Sequence, residues 1–484
     1  LHAISKPLNV ASGSEQWSVS FGELHGTRTE VWSGRFFRSD EQLGPFHTAY
    51  GRDSRGAWHQ NENGEVVREA GFHLRDAIDE RALDLATGSG VTMLGTVASP
   101  TPAYVLKVNP PNGRLEYLFY DRTTYRLIRR DAIRDGRRVS TTFGDYRITG
   151  GFAVPFRIHS EDGKPDNVRD DTLTTMDFGE SIPDARLAAP TPAPAIATIA
   201  GGQHAVIPAT IADDRVILTF QIDGHPVDMQ LDSGASGIVI NNAVIKALGF
   251  KQYGRMTGST AGDYTESGVI IPEMKLGSVT IANAYAQSLP FAEVTDKGTP
   301  VAGLLGFDVL DQLVVHIDYM NGTVEAWEPT AFEPPAGAVA IPIALDDDVP
   351  ALSISLAGTS LRMILDTGAD RSVLFSAAMH DHPTQFPELG LGELMQSQWP
   401  FVNDLSGVGG TVEYRPLQTG PMQVGQWTFD RWLFDVTQND PTFEFEDYDG
   451  LLGQEFLRNF NLYLDLPQQR IFLIPNQRYH DRWG

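Results

Sequence analysis

Between Leu218 and Leu231 apolar residues take alternate positions twice over: Leu218, Phe220 and Ile222, then Val227, Met229 and Leu231, with the turn Asp223-Gly224-His225-Pro226 between them. A period of two on both sides of a short turn predicts a β-hairpin, and Asp232 then falls where its second strand ends. The pattern returns at Leu352, Ile354 and Leu356, then Leu361, Met363 and Leu365, around Ala357-Gly358-Thr359-Ser360, and leads to Asp366. Each of these positions stands 134 after its counterpart. Further on, "AGLLGFDVLDQLVVHIDY" (Ala302 to Tyr319) matches "DGLLGQEFLRNFNLYLDL" (Asp449 to Leu466), now with an offset of 147. The 13 additional residues of the second copy are expected within "HDHPTQFPELGLGELMQSQWP". Each second block reads as an apolar pair, a glycine, a short helical stretch and a final strand. The chain therefore contains one lobe built twice.

The residues before the repeat also read as β-rich. "RTEVWSGRFFRSD", "AYVLKVNP", "RLEYLFYDRTTYRLIRRD" and "FAVPFRIHSEDG" are β-branched and aromatic runs separated by Gly, Pro and Asp. "EAGFHLRDAIDERALDLATG", ending at Gly88, is the best helix candidate, and "NPPNG" (Asn109 to Gly113) reads as a hairpin turn. "LAAPTPAPAIATIAGGQ" (Leu187 to Gln203) alternates Pro with Ala, which disfavours helix and strand alike and predicts an extended spacer. The expected organisation is a β-rich domain over 1–186, a linker over 187–204, a first lobe over 205–332 and a second over 333–484.

Composition narrows the partners. Lys and Arg number 37 against 62 Asp and Glu, a net charge of −25, which argues against nucleic acid and against anionic membranes. No apolar run reaches the roughly 18–20 residues of a spanning helix, so stable membrane insertion is not expected. The chain has no cysteine, which removes thiol catalysis, disulfides and Cys-ligated metals. It opens at Leu1 rather than methionine, so the expectation is a cleaved signal peptide and a periplasmic or secreted bacterial protein. A cytoplasmic chain trimmed at its start is the alternative.

Asp-Ser/Thr-Gly at a strand end has a definite chemical capacity. The glycine is expected to relieve the limit on φ, so that nearby N–H groups can bond the carboxylate. The hydroxyls of Ser233 and Thr367 can bond across to the opposing loop. Two such loops meeting at a pseudo-twofold axis bring Asp232 and Asp366 together, and close carboxyls hold one proton between them. One then takes a proton from water while the other polarises a carbonyl. No metal, cofactor or covalent intermediate is needed.

Asp232-Ser233-Gly234-Ala235-Ser236 and Asp366-Thr367-Gly368-Ala369-Asp370 resemble the active-site loops of retropepsin-like aspartic proteases. Leu304-Leu305-Gly306 and Leu451-Leu452-Gly453 resemble the family's apolar-apolar-Gly element. The resemblance spans roughly Ala205 to Pro475 and implies a mainly β, bilobal retropepsin/pepsin-like acid protease fold acting on peptides or proteins. Catalysis would fall to Asp232 and Asp366, with Ser233, Gly234, Thr367 and Gly368 supporting the dyad. It also implies a flap hairpin per lobe. "LSGVGGTVEY" supplies Gly407, Gly409 and Gly410, whereas "MTGSTAGDYTES", with Gly262, Asp263 and Tyr264, departs from the glycine-rich pattern, so the flaps are expected to be unequal. With both lobes in one chain the expected unit is a monomer; a dimer using one lobe of each chain is a rival, marked by concentration-dependent activity. The N-terminal strands resemble the half-barrel of lipoprotein-carrier-like domains, which implies an apolar ligand. A second rival is thus a catalytically silent protease fold serving as a binding protein, with the N-terminal domain carrying an apolar ligand or docking a partner.

Other motifs have blander accounts. His380 and His382 in "MHDHP" have metal-like spacing but read as a solvated insertion. "FEFEDYDG" is acidic without the spacing of a calcium loop, and "GSGVTMLG" follows a predicted helix rather than the strand a phosphate loop requires. "NGT" at Asn321 reads as a hairpin turn before the last strand of the first lobe.

Overall fold

The computed structural model describes residues 11–69, 90–109, 115–134, 137–212, 214–259, 263–290, 293–294, 300–346, 348–376, 378, 403–407, 410–437 and 448–481. The helix expected up to Gly88, the turn at 110–113, the insertion at 380–400 with its two histidines, and most of "FEFEDYDG" lie outside them. The chain divides into two units, Leu1–Ala193 with Tyr253–Thr257, and Pro194–Gln252 with Gly258–Gly484. Both are mainly β.

In the first unit thirteen described strands form one open antiparallel sheet. The strands run in chain order except at one place, where Ser12–Phe21 pairs with Arg169–Phe178 and so joins the first hairpins to the last. Strand alternation puts Trp17 and Val19, Trp32, and Leu173 into one apolar cluster with Phe143, Val154 and Ile158. The same alternation buries Glu15, Arg28, Glu30 and Asp171 on those strands. Arg28 bonds Asp171 at 2.7 Å and lies 5.1 Å from the centre of the Trp17 ring. This face is a mixture of tryptophan and paired charge rather than a purely apolar cradle.

The second unit contains the repeat. In the first lobe His225–Leu231 pairs antiparallel with Arg215–Ile222 and parallel with Gly303–Leu305. In the second, Thr359–Leu365 pairs with Val349–Leu356 and with Gly450–Leu452 in the same manner. Met229 opposite Gly303 and Met363 opposite Gly450 reproduce both sequence offsets. A six-stranded sheet takes His204–Ile207, Thr323–Trp327 and Val314–Asp318 from the first lobe and Phe460–Asp465, Arg470–Pro475 and Ala340–Pro342 from the second. At its centre His316 faces its own repeat counterpart Tyr463, with the rings stacked 4.1 Å apart. Val315 opposes Leu464 and Ile317 opposes Leu462, an exchange of counterparts that defines a local pseudo-twofold axis. Asn321 lies in the turn between Val314–Asp318 and Thr323–Trp327, where Asp318 accepts from the Met320 and Asn321 N–H groups.

The spacer expected over 187–204 is not free of regular structure. Asp184–Leu187 is a single helical turn, and Ala197–Ile199 forms a strand against Val279–Leu289. Ile196, Ala197 and Ile199 are buried there, and that burial outweighs the local Pro/Ala preference.

Candidate active site

Both aspartates leave the ends of paired strands in the same way. The Asp232 N–H donates to the Leu305 carbonyl and the Asp366 N–H to the Leu452 carbonyl, each at 3.0 Å. The leucines belong to the two Leu-Leu-Gly elements, so each element fixes where a carboxylate emerges. Their glycines are needed for room: a Cβ at Gly306 would stand 2.3 Å from the Ala235 carbonyl oxygen, and one at Gly453 2.3 Å from that of Arg371.

The loops are locked to one another by four reciprocal bonds. The Ser233 hydroxyl donates to the Leu365 carbonyl at 2.6 Å and accepts from the Thr367 N–H at 3.0 Å. The Thr367 hydroxyl donates to the Leu231 carbonyl at 3.0 Å and accepts from the Ser233 N–H at 2.9 Å. Both residues are fully buried. A hydroxyl is the smallest side chain that can donate and accept at once, so neither Ala nor Val would complete this exchange.

The carboxyls meet within this lock. Gly234 donates its N–H to Asp232 Oδ1 at 2.9 Å; Gly368 and Ala369 donate to Asp366 Oδ1 at 2.7 and 3.0 Å. Asp366 also shares a side-chain hydrogen bond with Asp232. Burial raises the Asp366 carboxyl above its ordinary value, against these hydrogen bonds, and the charge of Asp370 adds to the rise. A protonated carboxyl beside a hydrogen-bonded carboxylate can act as an acid and a base at once.

The glycines differ from expectation in their reason. Neither Gly234 nor Gly368 has a positive φ. A Cβ at Gly234 would lie 2.6 Å from the Asp366 carboxyl carbon, and one at Gly368 2.3 Å from that of Asp232. Each glycine makes space for the opposite aspartate.

The structure thus brings together Asp232, Ser233, Gly234, Asp366, Thr367 and Gly368. The described flap residues belong to two separate hairpins. Asp263 and Tyr264 open the strand Asp263–Leu276, and the Tyr264 ring covers Gly258 and packs against Ile217, Val239 and Leu289. Gly407 pairs with Gly410 at the end of the hairpin Asn403–Gly407/Gly410–Thr419, while Gly262 and Gly409 lie outside the described residues.

Sequence reading missed several braces. Gln230 donates from Nε2 to the Gly368 carbonyl at 2.8 Å, and Gln454 to the Thr367 carbonyl at 2.6 Å. Their only signal was a glutamine beside each motif block, at positions whose burial is not legible locally. Asp308 and its repeat counterpart Glu455 accept from the N–H groups of Ile238 and Ser372. Arg215 grips Asp370 with two bonds, at 2.8 and 2.7 Å, tying the first lobe to the second loop.

Residues 218–309 match the aspartyl protease family. The match contains the first aspartate loop and the first Leu-Leu-Gly element; the second loop lies outside it and repeats its geometry. No curated protein matches the chain. Among solved structures, a DUF1329 family protein from Desulfovibrio piger is similar at 12% identity and a TM-score of 0.30, over 37% of this chain and 90% of that one. An aspartic proteinase from Irpex lacteus is similar at 13% identity and a TM-score of 0.36, over 58% of this chain and 100% of that one. At these TM-scores the functional argument rests on the loops themselves.

Proposed function

We propose that the chain is an aspartic endopeptidase that hydrolyses peptide bonds with water activated between Asp232 and Asp366. The observation that carries this reading is the reciprocal Ser233/Thr367 lock, which sets the two carboxyls against each other in a site where burial raises that of Asp366. Asp232 takes a proton from the water as its oxygen attacks the carbonyl carbon, and Asp366 gives its proton to the carbonyl oxygen. Collapse of the tetrahedral diol returns a proton to Asp366 and delivers the other to the departing amine nitrogen, so the dyad ends as it began. A proton shared by paired carboxyls is the established behaviour of aspartic proteases.

The test is cleavage of a mixed peptide library across acidic to neutral pH by the wild type, Asp232→Asn and Asp366→Asn. Each substitution should lower kcat/KM by about 10³-fold or more, since it removes either the base or the transferable proton. Cleavage that survives either change at the wild-type rate would sink the reading. The flap hairpins are proposed to close over the substrate, and a periplasmic or secreted location is proposed with them.

A further inference from the structure

Asp435 is a second buried acid close to the second aspartate loop, in a place the hydrolytic mechanism does not use. It lies on the strand Trp432–Thr437, between two elements of the site. On one side it pairs with Val373, the strand that leaves the second loop, and its N–H donates to the Ser372 carbonyl at 3.0 Å. On the other it pairs with Pro416, in the returning strand of the second hairpin. The side chain is 1% exposed, and neither carboxyl oxygen has a hydrogen-bond partner among the described residues. Its cationic neighbour among the described residues is Arg371, whose Nε stands 3.6 Å away and whose side chain is half exposed.

The first lobe has no such arrangement. Gln287 takes the place of Asp435 opposite Val239, and Gly237 takes the place of Arg371. An ion pair confined to one of two equivalent frames is not required by the frame.

We propose that Asp435 is a positioning residue with two states: ionised, it holds Arg371 against the flank of the second aspartate loop, and protonated, it releases it. The proposal rests on the aspartic-protease reading for its effect on catalysis. Burial pushes the Asp435 carboxyl up to about 6, Arg371 opposes the rise and Glu455 adds to it. Among the described residues the titratable groups facing it are thus Arg371 and Glu455 from the loop and the helical turn Gln454–Leu457, and Tyr414 from the hairpin strand, which is affected by Asp435 and Arg371 in turn. A buried carboxylate with no hydrogen bond is costly, so the ion pair with Arg371 is its main support. Protonation removes that demand, and the guanidinium can then turn to solvent or to substrate.

The kcat/KM profile of the wild type should therefore show an inflection near pH 6 that is separate from the dyad. In Asp435→Asn, which keeps the shape of the neutral acid, the inflection should vanish. In Arg371→Met it should move up, because the carboxylate loses its cation; in Glu455→Gln it should move down, because a like charge is gone. An inflection that persists in Asp435→Asn, or moves the same way in the other two variants, would overturn the proposal.

A second measurement does not depend on catalysis. The folded Asp435 has its pKa above the unfolded value of 3.8, so its contribution to stability is full below 3.8 and is lost as pH rises to about 6. The unfolding midpoint of the wild type should fall relative to that of Asp435→Asn across this window. A constant difference between about pH 4 and about pH 7 would count against the proposal. If Asp366→Asn cleaves like the wild type, the protease reading falls alone, and the stability measurement still decides whether Asp435 titrates as described.

Discussion

An alanine at position 234 or 368 would put its methyl carbon inside van der Waals contact with the opposite carboxyl, at 2.6 and 2.3 Å. The carboxyl cannot yield freely, because backbone N–H groups and the partner aspartate hold it. It must shift by about 1 Å, and a misplacement of that size costs on the order of 10²-fold in rate. Gly234→Ala and Gly368→Ala are thus expected to lower kcat by about 10²-fold with a much smaller change in KM, as read by steady-state kinetics on a cleaved peptide. A variant with unchanged kcat would mean that the carboxyls are not fixed by this packing. The glycine was legible in the sequence, but its reason was not. The motif predicts a residue that frees φ, whereas the partner that excludes a side chain stands far off in the chain, 132 positions from Gly234 to Asp366 and 136 from Asp232 to Gly368.

At the scale of elements, the repeated hairpins were read almost intact from alternation alone. The pairing Ile222–His225 and Leu356–Thr359 leaves two-residue turns, Asp223-Gly224 and Ala357-Gly358, with all four residues at positive φ. That is the primed turn whose twist suits a hairpin, and aspartate tolerates its first position better than alanine does. Ala357 holds φ +49 without a side chain that can bond locally, while its counterpart Asp223 holds φ +50. Copying the first lobe into the second, Ala357→Asp should stabilise the chain by about 0.5–1 kcal/mol, seen as a higher urea midpoint at unchanged m-value. A lower midpoint would refute the strain argument. Elements that depend on distant partners were less legible. Ala197–Ile199 reads as spacer because its strand exists only where Val279–Leu289 covers it. The buried charges Arg28 and Asp171 of the first unit sit at positions that alternation alone assigns to the core, and their mutual pairing across the sheet explains their presence. Gln230 and Gln454 are similar cases, since their acceptors belong to the second loop and not to their neighbours in sequence.

For the second unit as a whole, the dyad requires that two lobes keep one relative position. The six-stranded sheet supplies part of that constraint, and a hairpin tip supplies another. Asp214, at φ +65, follows the strand Ala209–Ala212 and reaches two arginines of the second lobe, Arg458 and Arg478, the latter at 2.6 Å. Its neighbour Arg215 holds Asp370 beside the second aspartate, so two consecutive residues of the first lobe bind the second at separate points. Burial alone would raise the Asp214 carboxyl, but hydrogen bonds from Arg478 and Arg458 overcome that and keep it below its ordinary value. A depressed pKa means that this stabilisation is complete above the unfolded value of 3.8 and is lost as pH falls through the folded one. The carboxyl is 18% exposed and the arginines about twice that, so the interaction lies between a surface pair and a buried one. Asp214→Ala should destabilise by about 1–2 kcal/mol near neutral pH and progressively less in acid. Urea unfolding at about pH 7 and about pH 3 measures both values. An undiminished effect in acid would show that the side chain acts by packing, whereas convergence of wild type and variant would identify the charge of Asp214 as what holds this tip to the second lobe.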